Sequence, residues 1–234
     1  RPELDQAQAN RALVWHLQGD FERARVAYEK ALKQRPNWPL VLSNLGNLYR
    51  DLKEFDQAAA CYQKALNASP NYGDAFFNLG VLLQELKEHS SAVRCYTRAL
   101  ECGVDSQTWR VLCNRGIALG AQRLFEDALL DFDAAIAAGP QRSEVHLNRG
   151  NALRALWRLE ESRDSYRSAL VLSPDHAQVH SNLGQVLSEL GVFDQALEHH
   201  RRAHQLAPES AEVEFNMALS LLQQGHLNEG WTHY

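Results

Sequence analysis

One interval governs this chain. Gly46, Gly80, Gly116, Gly150 and Gly184 recur at spacings of 34, 36, 34 and 34 residues, and self-similarity at a fixed period of this size marks an array of stacked supersecondary units. Two further residue classes keep the same register: Ala24, Ala58, Ala92, Ala128 and Ala196, then the aromatics Tyr28, Tyr62, Tyr96, Phe132 and Tyr166. Pro36, Pro70, Pro140, Pro174 and Pro208 follow at the end of their units. Counted from the glycines, full repeats run over 5–38, 39–72, 73–108, 109–142, 143–176 and 177–210, with a seventh cut short at 211–234. Six exceed the roughly three repeats that a stable stack needs.

Within a repeat, apolar residues fall at three- and four-residue steps, as at Leu42, Leu45, Leu48 and Tyr49 and again at Ala58, Tyr62 and Ala65. That is the pattern of two amphipathic helices, here A and B, and no strand is required. Small Gly and Ala are expected where A and B approach closely, with Tyr or Phe filling the gap to the next repeat. A proline after helix B blocks its continuation. Contacts then run between neighbouring repeats, and a small rotation per repeat creates a long concave face of the kind that binds partners.

At Leu45-Gly46-x-x-Tyr49, Ala58-x-x-x-Tyr62 and Pro70 the chain resembles the tetratricopeptide repeat, whose pattern places these residue types at these offsets. The resemblance covers essentially the whole sequence. It implies an all-α fold, a right-handed superhelical solenoid of antiparallel helix pairs forming a single domain over 1–234, and a role in holding another polypeptide.

Two repeats depart from the pattern. The third has two extra residues near Cys102-Gly103-Val104-Asp105 and no terminal proline, which should change the local rotation and bend the groove. The fifth has Ser162 where the others carry Ala, and Trp157 in its A-to-B turn, where Gly19, Gly191 and Gly225 stand elsewhere. The plain expectation is that Trp157 folds over its own turn to cover apolar surface; the other is an exposed contact point.

Composition narrows the function classes. Twenty-four Lys and Arg against 29 Asp and Glu give a net charge of -5, without the basic footprint of nucleic-acid binders. No apolar run of about 18 residues is present to span a bilayer, and Arg1-Pro2-Glu3-Leu4-Asp5 does not resemble a signal peptide. A soluble, cytoplasmic segment without membrane insertion is expected. It opens without a methionine and stops inside a helical pattern, as an excised piece of a longer protein would. Cys61, Cys95, Cys102 and Cys113 form no C-x-x-C pair and read as buried free thiols. No catalytic residue, cofactor or metal is expected in this segment.

The sharpest signal is an asparagine two residues before the signature glycine in every repeat: Asn10, Asn44, Asn78, Asn114, Asn148, Asn182 and Asn216. On helix A this position lies away from helix B, so the amides are expected to form a ladder along the inner groove. A primary amide both donates and accepts, and can engage a peptide backbone whatever side chains that peptide carries. With inner helices roughly 10 Å apart, an extended peptide rising about 3.3 Å per residue meets an asparagine about every third residue. The alternative is that the amides bond across the repeat interface. Phe77, Asn47, Asn151 and Arg154, with Arg50, Gln185 and Phe215, occupy the remaining inner positions. Arg11, Arg115 and Arg149 stand where other repeats carry Leu or Met; their stems must cover apolar surface while their heads reach water or an acid.

In this series the chain looks like the repeat region of the O-linked N-acetylglucosamine transferases, whose comparable asparagine ladder grips protein substrates. Asn-Leu-Gly at 44–46, 78–80 and 182–184 matches, and Asn-Arg-Gly at 114–116 and 148–150 departs in its middle residue. Gly230-Trp231-x-x-Tyr234 resembles a segment that closes bacterial tetratricopeptide arrays attached to glycosyltransferase-like domains. The resemblance implies the substrate-recruiting arm of a larger glycosyltransferase; a stand-alone adaptor, co-chaperone or assembly factor is the alternative. A chaperone adaptor of the carboxylate-clamp kind would need lysines that the inner positions lack. An RNA-binding helical repeat would want a basic groove. For an enzyme the best candidate is His199-His200-x-x-x-His204, since residues four apart share a helix face and can chelate a metal, but His200 falls on the aromatic packing position.

Overall fold

The computed structural model describes residues 2–104 and 108–233. Among these residues the chain forms fourteen α-helices and no strand. The A helices are α1 (Pro2–Leu17), α3 (Pro39–Asp51), α5 (Gly73–Glu85), α7 (Thr108–Ala121), α9 (Ser143–Ala155), α11 (Ala177–Glu189) and α13 (Ala211–Gln223). The B helices are α2 (Phe21–Gln34), α4 (Phe55–Ala68), α6 (His89–Cys102), α8 (Phe125–Ala138), α10 (Leu159–Leu172), α12 (Phe193–Leu206) and α14 (Leu227–Thr232). They group into two compact units, Arg1–Ala118 and Leu119–Tyr234, with the boundary inside α7. None of the helices is long and apolar enough to cross a membrane.

Local chemistry sets the helix ends. Asp20 caps α2 by accepting the Arg23 N–H at 3.2 Å, and the Ser210 hydroxyl caps α13 through the Val213 N–H at 3.4 Å. Each of the five expected prolines lies two residues beyond the last residue of its B helix, where a ring without an N–H ends the helix without cost. Every A-to-B turn places one residue in the left-handed region: Gly19, Lys53, Lys87, Arg123, Trp157, Gly191 and Gly225, at φ between 59° and 81°. Two backbone hydrogen bonds close each turn, as where the Gly19 N–H donates to His16 O at 3.0 Å and the Asp20 N–H to Trp15 O at 2.9 Å.

The periodic residues meet directly. A Cβ on Gly46 would lie 2.5 Å from the Tyr62 ring, one on Gly80 2.6 Å from Tyr96, and one on Gly150 2.5 Å from Tyr166. The aromatic therefore lies over the glycine of its own repeat and also reaches the next one, as expected of a gap-filling ring: Tyr62 shares a buried cluster with Leu82, Tyr96 with Val111 and Tyr166 with Val179. Tyr62, Tyr96 and Tyr166 are fully buried there. In the sixth repeat His200 takes this seat over Gly184, with Nδ1 2.6 Å from Ser220 Oγ and Nε2 3.2 Å from the Ser181 carbonyl. Burial lowers its pKa to about 4. Ser162 fits the alanine seat because its hydroxyl donates to Gly150 O at 2.8 Å.

Of the four free thiols, Cys61 and Cys113 are buried and Cys95 and Cys102 are half-buried, so the expectation of burial holds in full for two. Desolvation pushes Cys61 up to about 11. The insertion in the third repeat ends α6 at Gly103 with φ 81°. Its backbone crosses the start of α5 so closely that a Cβ on Gly73 would lie 2.8 Å from Gly103 O. Asp105, and with it the expected change of rotation, lies outside the described residues.

Candidate functional site

In the first unit, Asn44, Asn47, Phe77, Asn78 and Asn114 line one groove of about 390 Å³ together with Arg50, Asp74 and Arg110. The A helices supply every one of these side chains. Asn44 is half-buried and, among the described residues, takes no side-chain hydrogen bond. The Asn47 Oδ1 accepts the Tyr62 hydroxyl at 2.7 Å, which directs its Nδ2 away from the core. Asn78 Nδ2 donates back to Ser43 Oγ of the preceding repeat at 3.0 Å, leaving its carbonyl oxygen to the groove. The Asn114 amide donates to the Tyr96 hydroxyl, whose own proton goes to Gln84 Oε1 at 3.0 Å. Phe77 is only 6% exposed: Tyr96 packs against it at 6.0 Å between centroids and the Arg110 guanidinium lies 5.4 Å over its ring. It forms floor rather than wall. Asn10 is exposed outside this lining and accepts from Gln6 Nε2 at 3.0 Å.

In the second unit the series is more deeply set. Asn182 and Asn216 are buried, at 9% and 8% exposure. Asn182 Nδ2 donates to Asn151 Oδ1 at 2.8 Å while its own Oδ1 accepts from Gln178 at 2.9 Å. Asn216 Nδ2 donates to Ser181 Oγ at 3.0 Å. Asn148 is half-buried and, among the described residues, takes no side-chain hydrogen bond. Asn151 and Arg154 line a second groove of about 410 Å³ with Ala155, Trp157, Tyr166 and Glu189. Arg154 Nε donates to both Glu189 oxygens, at 3.0 and 3.1 Å, and its Nη1 to Gln185 Oε1.

Four of the seven asparagines, Asn78, Asn114, Asn182 and Asn216, thus tie their repeat to the one before it. The sequence carries traces of these partners that its glycine period does not single out: Ser43-Asn44 and Ser181-Asn182 repeat as dipeptides, and Tyr62 and Tyr166 stand fifteen residues after Asn47 and Asn151, which they bond. The tyrosines fix the amides as well. Burial pushes Tyr62 and Tyr96 far above the usual phenol range and Tyr166 up to about 12. They therefore stay protonated, and where Tyr62 and Tyr166 donate to Asn47 and Asn151 the amide oxygen turns inward and the N–H groups outward.

The odd arginines take different roles. Arg11 lies 4.9 Å over Trp15, Arg115 donates to Thr97 Oγ1 at 3.1 Å, and Arg149 bonds Asp133 at 2.6 Å and Ser165 at 2.8 Å. Trp157 is 75% exposed and does not fold over its turn, which overturns the plain expectation for it. The three histidines face different neighbours: His199 Nδ1 meets His180 Nδ1 at 2.9 Å, His200 is held by Ser220 and Ser181, and His204 packs edge-on against His233. Among the described residues no group of His, Cys, Asp and Glu is placed to hold a metal ion.

Models of the tetratricopeptide repeat match residues 3–71 and 39–103, and a further TPR repeat model matches 150–191. No curated protein sequence matches the chain. Among solved structures, Pseudomonas aeruginosa pilF superposes with a TM-score of 0.83 at 20% identity, over 92% of this chain and 96% of that one. PilW, a type IV pilus biogenesis factor, gives 0.81 at 20% identity over 90% and 97%. YrrB, a TPR protein with an unusual peptide-binding site, gives 0.69 at 21% identity over 80% and 95%. Matched by repeat models over more than half its length and built of paired helices throughout the described residues, the chain belongs to the tetratricopeptide repeat family.

Proposed function

We propose that the chain is a protein-interaction scaffold that holds an extended polypeptide along its A helices. The observation that carries this reading is the first-unit groove, where Asn44, the Nδ2 of Asn47 and the Oδ1 of Asn78 offer donors and acceptors on one surface. Such a surface matches the alternating N–H and C=O groups of a peptide backbone and is indifferent to side-chain identity. Support comes also from the likeness to YrrB, a TPR protein with an unusual peptide-binding site. In the second unit Asn148 and Asn151 play the same part, while Asn182 and Asn216 brace the stack.

The resemblance of the Asn-Leu-Gly series to the O-linked N-acetylglucosamine transferases supports a finer reading, in which the bound polypeptide is the substrate of a linked glycosyltransferase. A stand-alone adaptor uses the same surface without the linked enzyme. The 234-residue chain serves as bait in a native extract beside a variant with Asn44, Asn47 and Asn114 changed to Ala, checked by circular dichroism. Partners retained by the parent and lost by the folded variant are expected. Identical captures would overturn the groove as the binding surface.

A further inference from the structure

Trp157 occupies the left-handed seat of its turn at φ 59°, a conformation uncommon for bulky side chains. The other six seats hold Gly, Lys or Arg. Its turn needs no help from the indole, since the Trp157 N–H donates to Arg154 O at 2.9 Å and the Arg158 N–H to Leu153 O at 3.0 Å. The ring is 75% exposed, and among the described residues neither a ring nor a cation stacks on it. A large exposed ring on an unfavourable backbone conformation is a reason to look for a ligand.

The groove beside it specifies which ligand. Asn151 Oδ1 is taken by the Tyr166 hydroxyl at 2.7 Å and by Asn182 Nδ2 at 2.8 Å. Both Glu189 oxygens and Gln185 Oε1 are taken by Arg154. The acceptors are thus engaged, Glu189 Oε2 by one donor alone, and what the groove chiefly offers an incoming chain is donors: the Asn151 Nδ2 hydrogens and the indole N–H. Charge excludes the ionic alternatives. A cation over the indole would share the groove with the Arg154 guanidinium, which already holds Glu189. An acidic segment would meet a unit that carries sixteen Asp and Glu against nine Lys and Arg over residues 119–234. The fitting segment is neutral, presents carbonyls without N–H groups, and carries a flat apolar ring, which are the properties of an extended chain containing proline.

We propose that Trp157 and Asn151 form a subsite for a proline-containing extended segment of the bound polypeptide. The pyrrolidine ring lies on the indole, and the carbonyl before it accepts from Asn151 Nδ2. The inference rests on the reading that this chain binds an extended polypeptide, and names the chemistry of one stretch of it.

The test is fluorescence polarisation of the 234-residue chain with labelled peptides of alternating Ala-Pro, Ala-Ser and Ala-Lys. Saturable binding of the Ala-Pro peptide alone is expected, weakened about tenfold or more by Trp157→Gly and largely kept by Trp157→Phe. Trp157→Gly should unfold at the same temperature or higher, because glycine suits the seat. Equal binding of the Ala-Ser or Ala-Lys peptide, unchanged binding by Trp157→Gly, or a lower unfolding temperature for that variant would overturn the subsite. A parent chain that captures partners through Asn44, Asn47 and Asn114 yet ignores the Ala-Pro peptide sinks the subsite alone, since those three residues lie in the other unit.

Discussion

The buried His200 contributes an acid limit to the stability of the chain. His200 occupies a seat that holds tyrosine in other repeats, and burial holds its pKa near 4 against an ordinary value of 6.5. The folded state resists the proton that the unfolded chain accepts, so the stability present above about pH 6.5 is lost as pH falls toward 4, by about 3 kcal/mol over the full range. In His200→Tyr, urea unfolding at pH 7 and pH 4 should show a gap smaller by about that amount. The glycines make opposite predictions by location. Gly150→Ala drives a methyl into the Tyr166 ring and should cost about 1–3 kcal/mol. Gly120→Ala, in α7 with nothing within 4 Å of the new methyl, should gain about 0.5–1 kcal/mol through helix propensity and a less flexible unfolded chain. At this scale the sequence was legible where two periodic residues touch within one repeat. Glycine and aromatic recur sixteen residues apart because one lies on the other. The asparagines were legible as a position and not as an orientation, because Ser43, Ser181 and Asn151, which turn them, belong to the neighbouring repeat.

Successive A helices are joined near their C-terminal ends by polar contacts, one a histidine hydrogen bond and two ion pairs. His16 meets Asp51 at 2.8 Å, Arg50 meets Glu85 at 3.6 Å, and Arg154 meets Glu189 at 2.5 Å. Each pair joins one repeat to the next within its unit. The Arg154–Glu189 pair is partly buried, with several contacts, and a double-mutant cycle with alanine should give a coupling of about 1 kcal/mol that shrinks in high salt. A coupling insensitive to salt would mean that packing of the arginine stem dominates. These pairs were not read from the sequence: their thirty-five-residue separation differs by one from the repeat, so no single column of the period contains both partners. The helices themselves were read, because apolar periodicity and terminal proline act within one element.

For the molecule as a whole, cohesion comes from helices stacked on their immediate neighbours, so local opening of the 234-residue chain should begin at its first and last helices. Amide hydrogen exchange is expected to be slowest in α3 and α11 and fastest in α1 and in α14, a six-residue helix beside the 63% exposed Trp231. Uniform protection would argue against repeat-by-repeat opening. Charge is divided unevenly along the chain: residues 1–118 carry fifteen basic and thirteen acidic side chains, and residues 119–234 carry nine and sixteen. The second unit alone accounts for the acidity of the protein.

The left-handed seat in each A-to-B turn is held by two main-chain bonds and asks nothing of the side chain beyond tolerance of a positive φ. Glycine, lysine, arginine and tryptophan all sit in it. It behaves as a variable letter in an otherwise fixed spelling: one codon can rewrite what a repeat displays at its rim while the stack beneath keeps its form. Diversification of binding in such an array can proceed turn by turn, without a compensating change in the core.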